Sequence, residues 1–162
     1  MIAVGDRLPE ATLYRRSEAG LESLAVTALC AGRRVVLFAV PGAFTPTCSE
    51  AHLPGFVAAS DALRAQGVAE IIGLAVNDPF VMKAWGEAQN VAGAVTLLSD
   101  GNGEFTQALG LTRDMRGGAM GLRSMRYAMI VDDGVVRWLG VDESGLRNSS
   151  ADAVQAALPG LS

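Results

Sequence analysis

The sequence has little cysteine, no excess of positive charge and no long apolar run, and each shortage excludes a class of protein. Two cysteines among 162 residues are too few for a disulfide scaffold. A formal net charge of −4 argues against a nucleic acid or an anionic membrane as partner, because both call for a basic face. The longest apolar run, residues 35–41, is far shorter than the roughly 18 residues that a membrane span needs.

The remaining composition favours one folded domain over residues 1–162. Half of the residues are hydrophobic, and the 19 glycines and 6 prolines follow no period, which excludes a disordered or collagen-like chain. The first residues pass from an apolar pair directly into Gly5, Asp6, Arg7 and Pro9, unlike a secretory signal. We therefore expect a soluble, cytoplasmic domain in a compartment where a free thiol persists.

Strand and helix patterns alternate along the chain, which predicts an α/β fold. Residues 35–40 are a continuous apolar run, typical of a strand buried on both faces. Asp133 and Gly134 predict a hairpin turn. The other strands are predicted at residues 71–76, 127–131 and 135–141, with a weaker pattern at 95–98. Helices are predicted from Thr47 or Cys48 to Gln66, from Pro79 to near Asn90, at 103–109 and at 151–158, and residues 112–123 are predicted as a loop.

The most informative stretch places a cysteine at the start of a helix. Residues 38–56 are FAVPGAFTPTCSEAHLPGF, in which a buried strand and a Pro-Gly turn lead to Cys48. The first N–H groups of a helix are unpaired and lie at the positive end of its dipole, so a thiolate there is stabilised. Cys48 follows a polar turn rather than an apolar run, which favours a nucleophile over a buried structural cysteine. Cys30 lies between two apolar residues and is interpreted as structural.

This stretch resembles the active-site loop of peroxiredoxins, in particular the type II, peroxiredoxin-V-like group. The resemblance continues in register through VNDPFVMKAW, LLSDGNGEFTQALGL and GLRSMRYAMIVDDGVV, so it covers about the whole chain. It implies a thioredoxin-like fold, with a central mixed β-sheet flanked by helices. It also implies thiol-dependent reduction of hydrogen peroxide and organic hydroperoxides, in a protein that is commonly a homodimer with Phe44 and Phe80 near the contact.

The resemblance assigns four site residues. Cys48 corresponds to the peroxidatic cysteine, Pro41 and Thr45 to the proline and threonine of the Pro-x-x-x-Thr-x-x-Cys pattern, and Arg126 to the active-site arginine. These residue types suit the reaction, because thiolate attack on one peroxide oxygen builds negative charge on the other. Thr45, the first-turn amides and the guanidinium of Arg126 can stabilise that charge. Pro41 has no N–H and can shield the sulfur without competing for it.

Two further residues near this pattern have open roles. Arg123 is a secondary candidate, expected to support the site or to face solvent. His52 lies four residues after Cys48 and is the only histidine, so it could form a Cys–His dyad of a cysteine hydrolase. A thiolate stabilised by a helix and an arginine needs no base, which favours a structural or modest electrostatic role. One histidine and two distant cysteines do not have the spacing of a metal site, and no cofactor is expected.

The sequence departs from the family at the second cysteine. Many type II members carry one in the strand before VNDPF, where this chain has Gly73. Only Cys30 remains, in the turn before the active-site strand. We therefore expect a one-cysteine cycle in which glutathione, glutaredoxin or thioredoxin reduces the Cys48 sulfenic acid. The alternative is a redox sensor or holdase that oxidises Cys48 without sustained turnover.

Overall fold

A computed structural model describes residues 1–161, and its centre is a seven-stranded mixed β-sheet. The strands of this sheet are β1 (Thr12–Ser17), β2 (Gly20–Ala25), β3 (Arg34–Ala39), β4 (Glu70–Ala75), β5 (Thr96–Ser99), β8 (Arg126–Asp132) and β9 (Val135–Asp142). Their order in the sheet is β2-β1-β5-β4-β3-β8-β9. Strands β3, β4 and β5 are parallel, whereas β8 and β9 run antiparallel to their neighbours.

Helices cover both faces of the sheet, as the sequence predicted. The helices are α1 (Val26–Cys30), α2 (Leu53–Ala65), α3 (Pro79–Ala88), α4 (Glu104–Leu109) and α5 (Ala151–Ala157). Strand β3 shows why two layers are needed, because its buried side chains alternate between two apolar cores. Val36 and Phe38 pack with α2, α3 and α5 on one face, whereas Val35 and Leu37 pack with α1 and α4 on the other. Among residues 1–161, no helix is long and apolar enough to cross a membrane.

Most predicted boundaries agree with the structure to within a few residues. Asp78 caps α3 by accepting a hydrogen bond from the Val81 N–H, and Ser150 caps α5 in the same way. Asp133 has a φ of 48° and Gly134 a φ of 80°, the left-handed pair of a tight hairpin. The weak strand pattern at residues 95–98 corresponds to β5.

The prediction of an irregular loop over residues 112–123 is wrong. The segment begins with β6 (Thr112–Asp114), which pairs antiparallel with β7 (Leu122–Ser124) around a 3₁₀ turn at Arg116–Gly118. Each strand has only three residues, too few for an alternating pattern to be visible in the sequence.

Candidate active site

The loop between β3 and the following helix is held in place at both of its ends. Pro41 is buried at its start, and the Ala43 N–H donates to Oδ1 of Asn77 at 2.9 Å. Phe44 is exposed and has a φ of 66°, a left-handed conformation that is uncommon for a bulky side chain and is a recurrent sign of strain at functional sites. Pro46 then begins the helix, a position where its missing N–H costs nothing.

The first part of that helix is π-helical rather than the regular α-helix that the sequence predicted. Over Cys48–His52 the turns are wider, and the Leu53 N–H donates to the carbonyl of Cys48. Pro54, in the first turn of α2, accounts for the difference, because it has no N–H and its ring crowds the carbonyl of Glu50 four residues earlier. Single π turns are frequent at functional sites.

The sulfur of Cys48 is fully buried and contacts an arginine. Nη2 of Arg126, the first residue of β8, donates to Sγ of Cys48 at 3.1 Å, and the arginine itself is only 6% exposed. The sequence interpretation implied that the polar turn would keep Cys48 out of the core. The structure shows instead that Cys48 is buried. What separates Cys48 from a structural cysteine is a buried cation within hydrogen-bond distance, which stabilises the thiolate form.

His52 holds the same arginine from its other side. Nη1 of Arg126 lies 2.9 Å from Nδ1 of His52, and Nε2 of His52 lies 2.8 Å from the carbonyl of Ser149. Because that carbonyl can only accept, Nε2 carries the proton, and Nδ1 is the lone pair that accepts from the guanidinium. Burial, together with the charge of Arg126, lowers the pKa of His52 to about 4. The imidazole is therefore neutral and leaves the arginine charge intact.

This arrangement does not match the Cys–His dyad of a hydrolase. Such a dyad needs a hydrogen bond between the nucleophile and its base. Both ring nitrogens of His52 are instead directed at Arg126 and Ser149. The ring packs against the stacked pair of Phe38 and Phe56, 5.1 Å from the ring of Phe38 and 5.6 Å from that of Phe56, which restricts its orientation.

The Ser149 carbonyl is positioned by Asp142, the last residue of β9. The carboxylate of Asp142 accepts the N–H groups of Arg147, Asn148 and Ser149 and the hydroxyl of Ser149, at 2.7 to 3.0 Å. Burial raises the pKa of Asp142, but these hydrogen bonds outweigh burial and hold the pKa below its ordinary value. Sequence reasoning missed Asp142 and Ser149. Ser149 contributes a backbone carbonyl to His52, so no side-chain pattern could have marked it.

Thr45 lies in the loop before the helix, with its hydroxyl directed at the backbone. Oγ1 of Thr45 donates to the carbonyl of Gly42 at 2.7 Å, and the Thr45 carbonyl accepts from the Ser49 N–H at 2.9 Å. The hydroxyl hydrogen is thus used within the loop, and the oxygen lone pairs are what Thr45 can offer to a bound molecule. This differs from the sequence-based expectation, in which the Thr45 hydroxyl donates to the developing charge. Trp85, also missed, anchors the adjacent turn through Nε1, which donates to Oγ of Ser49 at 2.9 Å.

The other cysteine, Cys30, lies away from the Cys48 sulfur. Cys30 is buried at the end of α1, in the core on the opposite face of the sheet from Cys48. Burial raises the pKa of Cys30 to about 11. Gly73 lies in β4 opposite Phe38, and Arg123 lies in β7. Within residues 1–161, no group of three or more potential metal-binding side chains comes together.

Comparisons with known proteins agree with this geometry. A family model described as Redoxin matches residues 3–155. Peroxiredoxin-2E-2, chloroplastic, of Oryza sativa subsp. japonica is 52% identical over 163 residues, covering 97% of this chain and 72% of that protein. Peroxiredoxin-2B of Arabidopsis thaliana is 46% identical, covering 97% and 98% of the two chains. The crystal structure of reduced Prx3 from Vibrio vulnificus in complex with hydrogen peroxide has a TM-score of 0.94 and 53% identity, covering 98% of this chain and 99% of that chain.

These likenesses extend over almost the whole chain and include both sequence and structure. They confirm the thioredoxin-like fold and the resemblance on which the site residues were assigned. The buried Cys48–Arg126 contact lies where that resemblance predicts a reactive thiol. The chain therefore belongs to the peroxiredoxin family, in its type II group, and is a thiol peroxidase.

Proposed function

We propose that this peroxiredoxin reduces hydrogen peroxide and small organic hydroperoxides in a one-cysteine cycle, and that glutathione, with or without glutaredoxin, regenerates the enzyme. The observation that carries the proposal is the 3.1 Å contact between Nη2 of Arg126 and Sγ of Cys48 in a site from which solvent is excluded. In such a site a charge-assisted hydrogen bond is stronger than at the surface.

In the oxidative step, the Cys48 thiolate attacks the nearer peroxide oxygen. The S–O bond forms as the O–O bond breaks, and the leaving oxygen takes the electron pair and then a proton as water or an alcohol. Arg126 stabilises the thiolate and the developing negative charge. Thr45 accepts a hydrogen bond from the hydroperoxide O–H, and Pro41 closes the pocket without adding a donor. Cys48 ends the step as a sulfenic acid.

The reductive step needs a thiol from outside the chain. A disulfide requires Cα atoms within about 7 Å of each other. Cys30 lies on the opposite face of the sheet from Cys48, and burial raises the pKa of its thiol to about 11. A glutathione thiolate would attack the Cys48 sulfenic sulfur, so that the S–S bond of a mixed disulfide forms as the S–O bond breaks, and the leaving hydroxide takes a proton from solvent to become water. A second thiol then exchanges with that disulfide, which restores Cys48 and releases oxidised glutathione.

The close packing around Gly73 is consistent with a chain that has no resolving cysteine in β4. A Cβ placed on Gly73 would lie 2.7 Å from Cδ2 of Leu97 and 2.7 Å from Cζ of Phe38, closer than real side chains come. The space that a second cysteine would need is therefore filled by Phe38 and Leu97. Phe38 is fully buried, so its ring cannot withdraw into solvent, whereas Leu97 is half-buried.

The proposal also includes a homodimer and a cytoplasmic location. Phe44 and Phe80 are 54% and 63% exposed, and large aromatic side chains at the surface are typical of a contact face. Analytical ultracentrifugation tests the dimer, since Phe80→Ser should shift the chain toward monomer. Cell fractionation tests the location.

The cycle is tested by treating the protein with one equivalent of hydrogen peroxide and then with glutathione. Mass spectrometry should find one glutathione adduct, on Cys48, in the wild type and in Cys30→Ser, and none in Cys48→Ser. Thioredoxin is the alternative reductant and is compared in steady-state assays. A dominant Cys30–Cys48 disulfide would refute the one-cysteine cycle. Consumption of only one equivalent of peroxide with every reductant would indicate the sensor or holdase instead.

A further inference from the structure

Two arginines lie directly opposite each other in the β6–β7 hairpin. Arg113 and Arg123 are Cα partners in this antiparallel pair, so their side chains project from the same face. Both are half-buried. Like charges opposite each other destabilise a strand pair, and this pair has only three residues on each strand to offset that cost.

Neither arginine is neutralised by a carboxylate. Within residues 1–161, the salt bridges involve neither Arg113 nor Arg123. The acidic neighbour in β6, Asp114, is engaged by Arg116 at 2.6 Å. Nε of Arg123 donates to the carbonyl of Met120 at 2.7 Å, which orients the guanidinium and leaves both Nη groups for another acceptor.

Arg123 borders the loop between β3 and the helix that carries Cys48, and Arg113 is its cross-strand partner. A Cβ built on Gly42 would lie 3.4 Å from Nη1 of Arg123 and 3.3 Å from Cγ2 of Thr45. The guanidinium of Arg123 therefore lies beside the loop that leads to Cys48. The whole chain carries a formal charge of −4. Two arginines without a carboxylate partner therefore form a local positive patch on an acidic protein.

We propose that Arg113 and Arg123 form a carboxylate-binding subsite for the thiol that reduces oxidised Cys48. This proposal rests on the proposed one-cysteine cycle and names the feature of the reductant that the protein recognises. Two guanidinium groups suit a carboxylate, which can accept from both. Glutathione carries two carboxylates, whereas hydrogen peroxide carries no charge. The subsite therefore accelerates the reductive step and leaves the oxidative step unchanged.

The two steps can be measured separately. Oxidation of Cys48 by hydrogen peroxide is followed without any thiol, and reduction of the sulfenic acid is then started with glutathione or with 2-mercaptoethanol, an uncharged thiol. Arg113→Gln and Arg123→Gln should each slow reduction by glutathione about 10-fold, the value of a charge-assisted hydrogen bond. Their reaction with 2-mercaptoethanol and their oxidation by peroxide should not change. The matched control is Arg116→Gln, which removes the same charge from the same segment but is already paired with Asp114.

Binding is tested independently of turnover with S-methylglutathione, which has the carboxylates but no thiol. Its NMR titration should shift the amide signals of β6 and β7 in the wild type and in Arg116→Gln, and not in the Arg113→Gln/Arg123→Gln double variant. Binding without reduction by glutathione would support the subsite and refute the proposed reductant. No shifts in the wild type, or equal rate losses in all three single variants, would overturn the subsite.

Discussion

Arg126 and Asp142 lie directly opposite each other in the β8–β9 ladder, yet they do not form an ion pair. The Asp142 carboxylate is occupied by the N–H groups of residues 147–149, and the guanidinium of Arg126 is shared by Cys48 and His52. A neutral imidazole thus orients the arginine where a carboxylate would have neutralised it. The positive charge of Arg126 is therefore available to stabilise the Cys48 thiolate and the peroxide.

Replacing Arg126 by alanine should slow the reaction of Cys48 with hydrogen peroxide. Loss of one donor directed at developing charge typically costs about 100- to 1,000-fold in rate. The same variant should alkylate more slowly, because the guanidinium that donates to Sγ of Cys48 is gone. Stopped-flow oxidation and iodoacetamide labelling measure the two effects.

Arg137→Ala is the control for that variant, because Arg137 is also a strand arginine but pairs with Asp132 at 2.9 Å, away from the site. It should keep both rates within about twofold of the wild type, as is usual for surface ion pairs. Unchanged alkylation and peroxidase rates in Arg126→Ala would remove Arg126 from the site.

Two replacements of His52 test whether its ring orients the guanidinium of Arg126. His52→Gln keeps an acceptor for Arg126 and a donor for the Ser149 carbonyl, so its peroxidase rate should stay within a few-fold of the wild type. His52→Leu leaves a buried guanidinium N–H without a partner, which should cost about 1–3 kcal/mol of stability. It should also slow oxidation and alkylation of Cys48. If the leucine variant alkylates like the glutamine variant, His52 only fills space.

The lowered pKa of His52 predicts a dependence of stability on pH. The imidazole has a pKa of about 4 in the folded chain and about 6.5 when unfolded, so the unfolded chain binds more protons between these values. The stability that the neutral ring contributes is therefore complete above pH 6.5 and declines as the pH falls toward 4. Urea unfolding from pH 4 to 7.5 should show the wild type losing about 3 kcal/mol more than His52→Gln. Parallel curves for the two proteins would contradict the assigned pKa.

The sequence predicted the parts of the fold that have long or punctuated patterns. Residues 35–40 were recognisable because a strand buried on both faces is apolar throughout, and α3 because Asp78 and Pro79 mark its start. The β1–β2 hairpin was missed, since β1 has Leu13 as its one buried residue, β2 has none, and both strands include charges. Local patterns carry little information about strands with so few buried side chains.

The candidate site shows the same limit. Cys48, Thr45, Pro41 and Arg126 were assigned by resemblance, and the structure brings Cys48 and Arg126 into contact, while their catalytic roles stay predictions. The support behind the arginine could not be predicted, because it joins residues distant in the chain. The bond between His52 and Ser149, for example, spans 97 positions and uses a backbone carbonyl. Only the tertiary fold creates that contact.

The last prediction concerns the packing between β4 and the site. Gly73→Ala places a methyl group 2.7 Å from Cζ of Phe38, whose ring stacks on Phe56 at 4.2 Å and lies 5.1 Å from the ring of His52. The Phe38 ring packs against both neighbours, so overpacking should lower the free energy of unfolding by about 1–3 kcal/mol. The displaced ring should press on His52 and slow Cys48 oxidation. Gly55→Ala is the control: its methyl would have only an ordinary contact at 3.8 Å within α2, and it should stabilise the helix. Urea unfolding and stopped-flow oxidation are measured for both variants. If Gly73→Ala has the same free energy of unfolding as the wild type, the Phe38 ring can move aside.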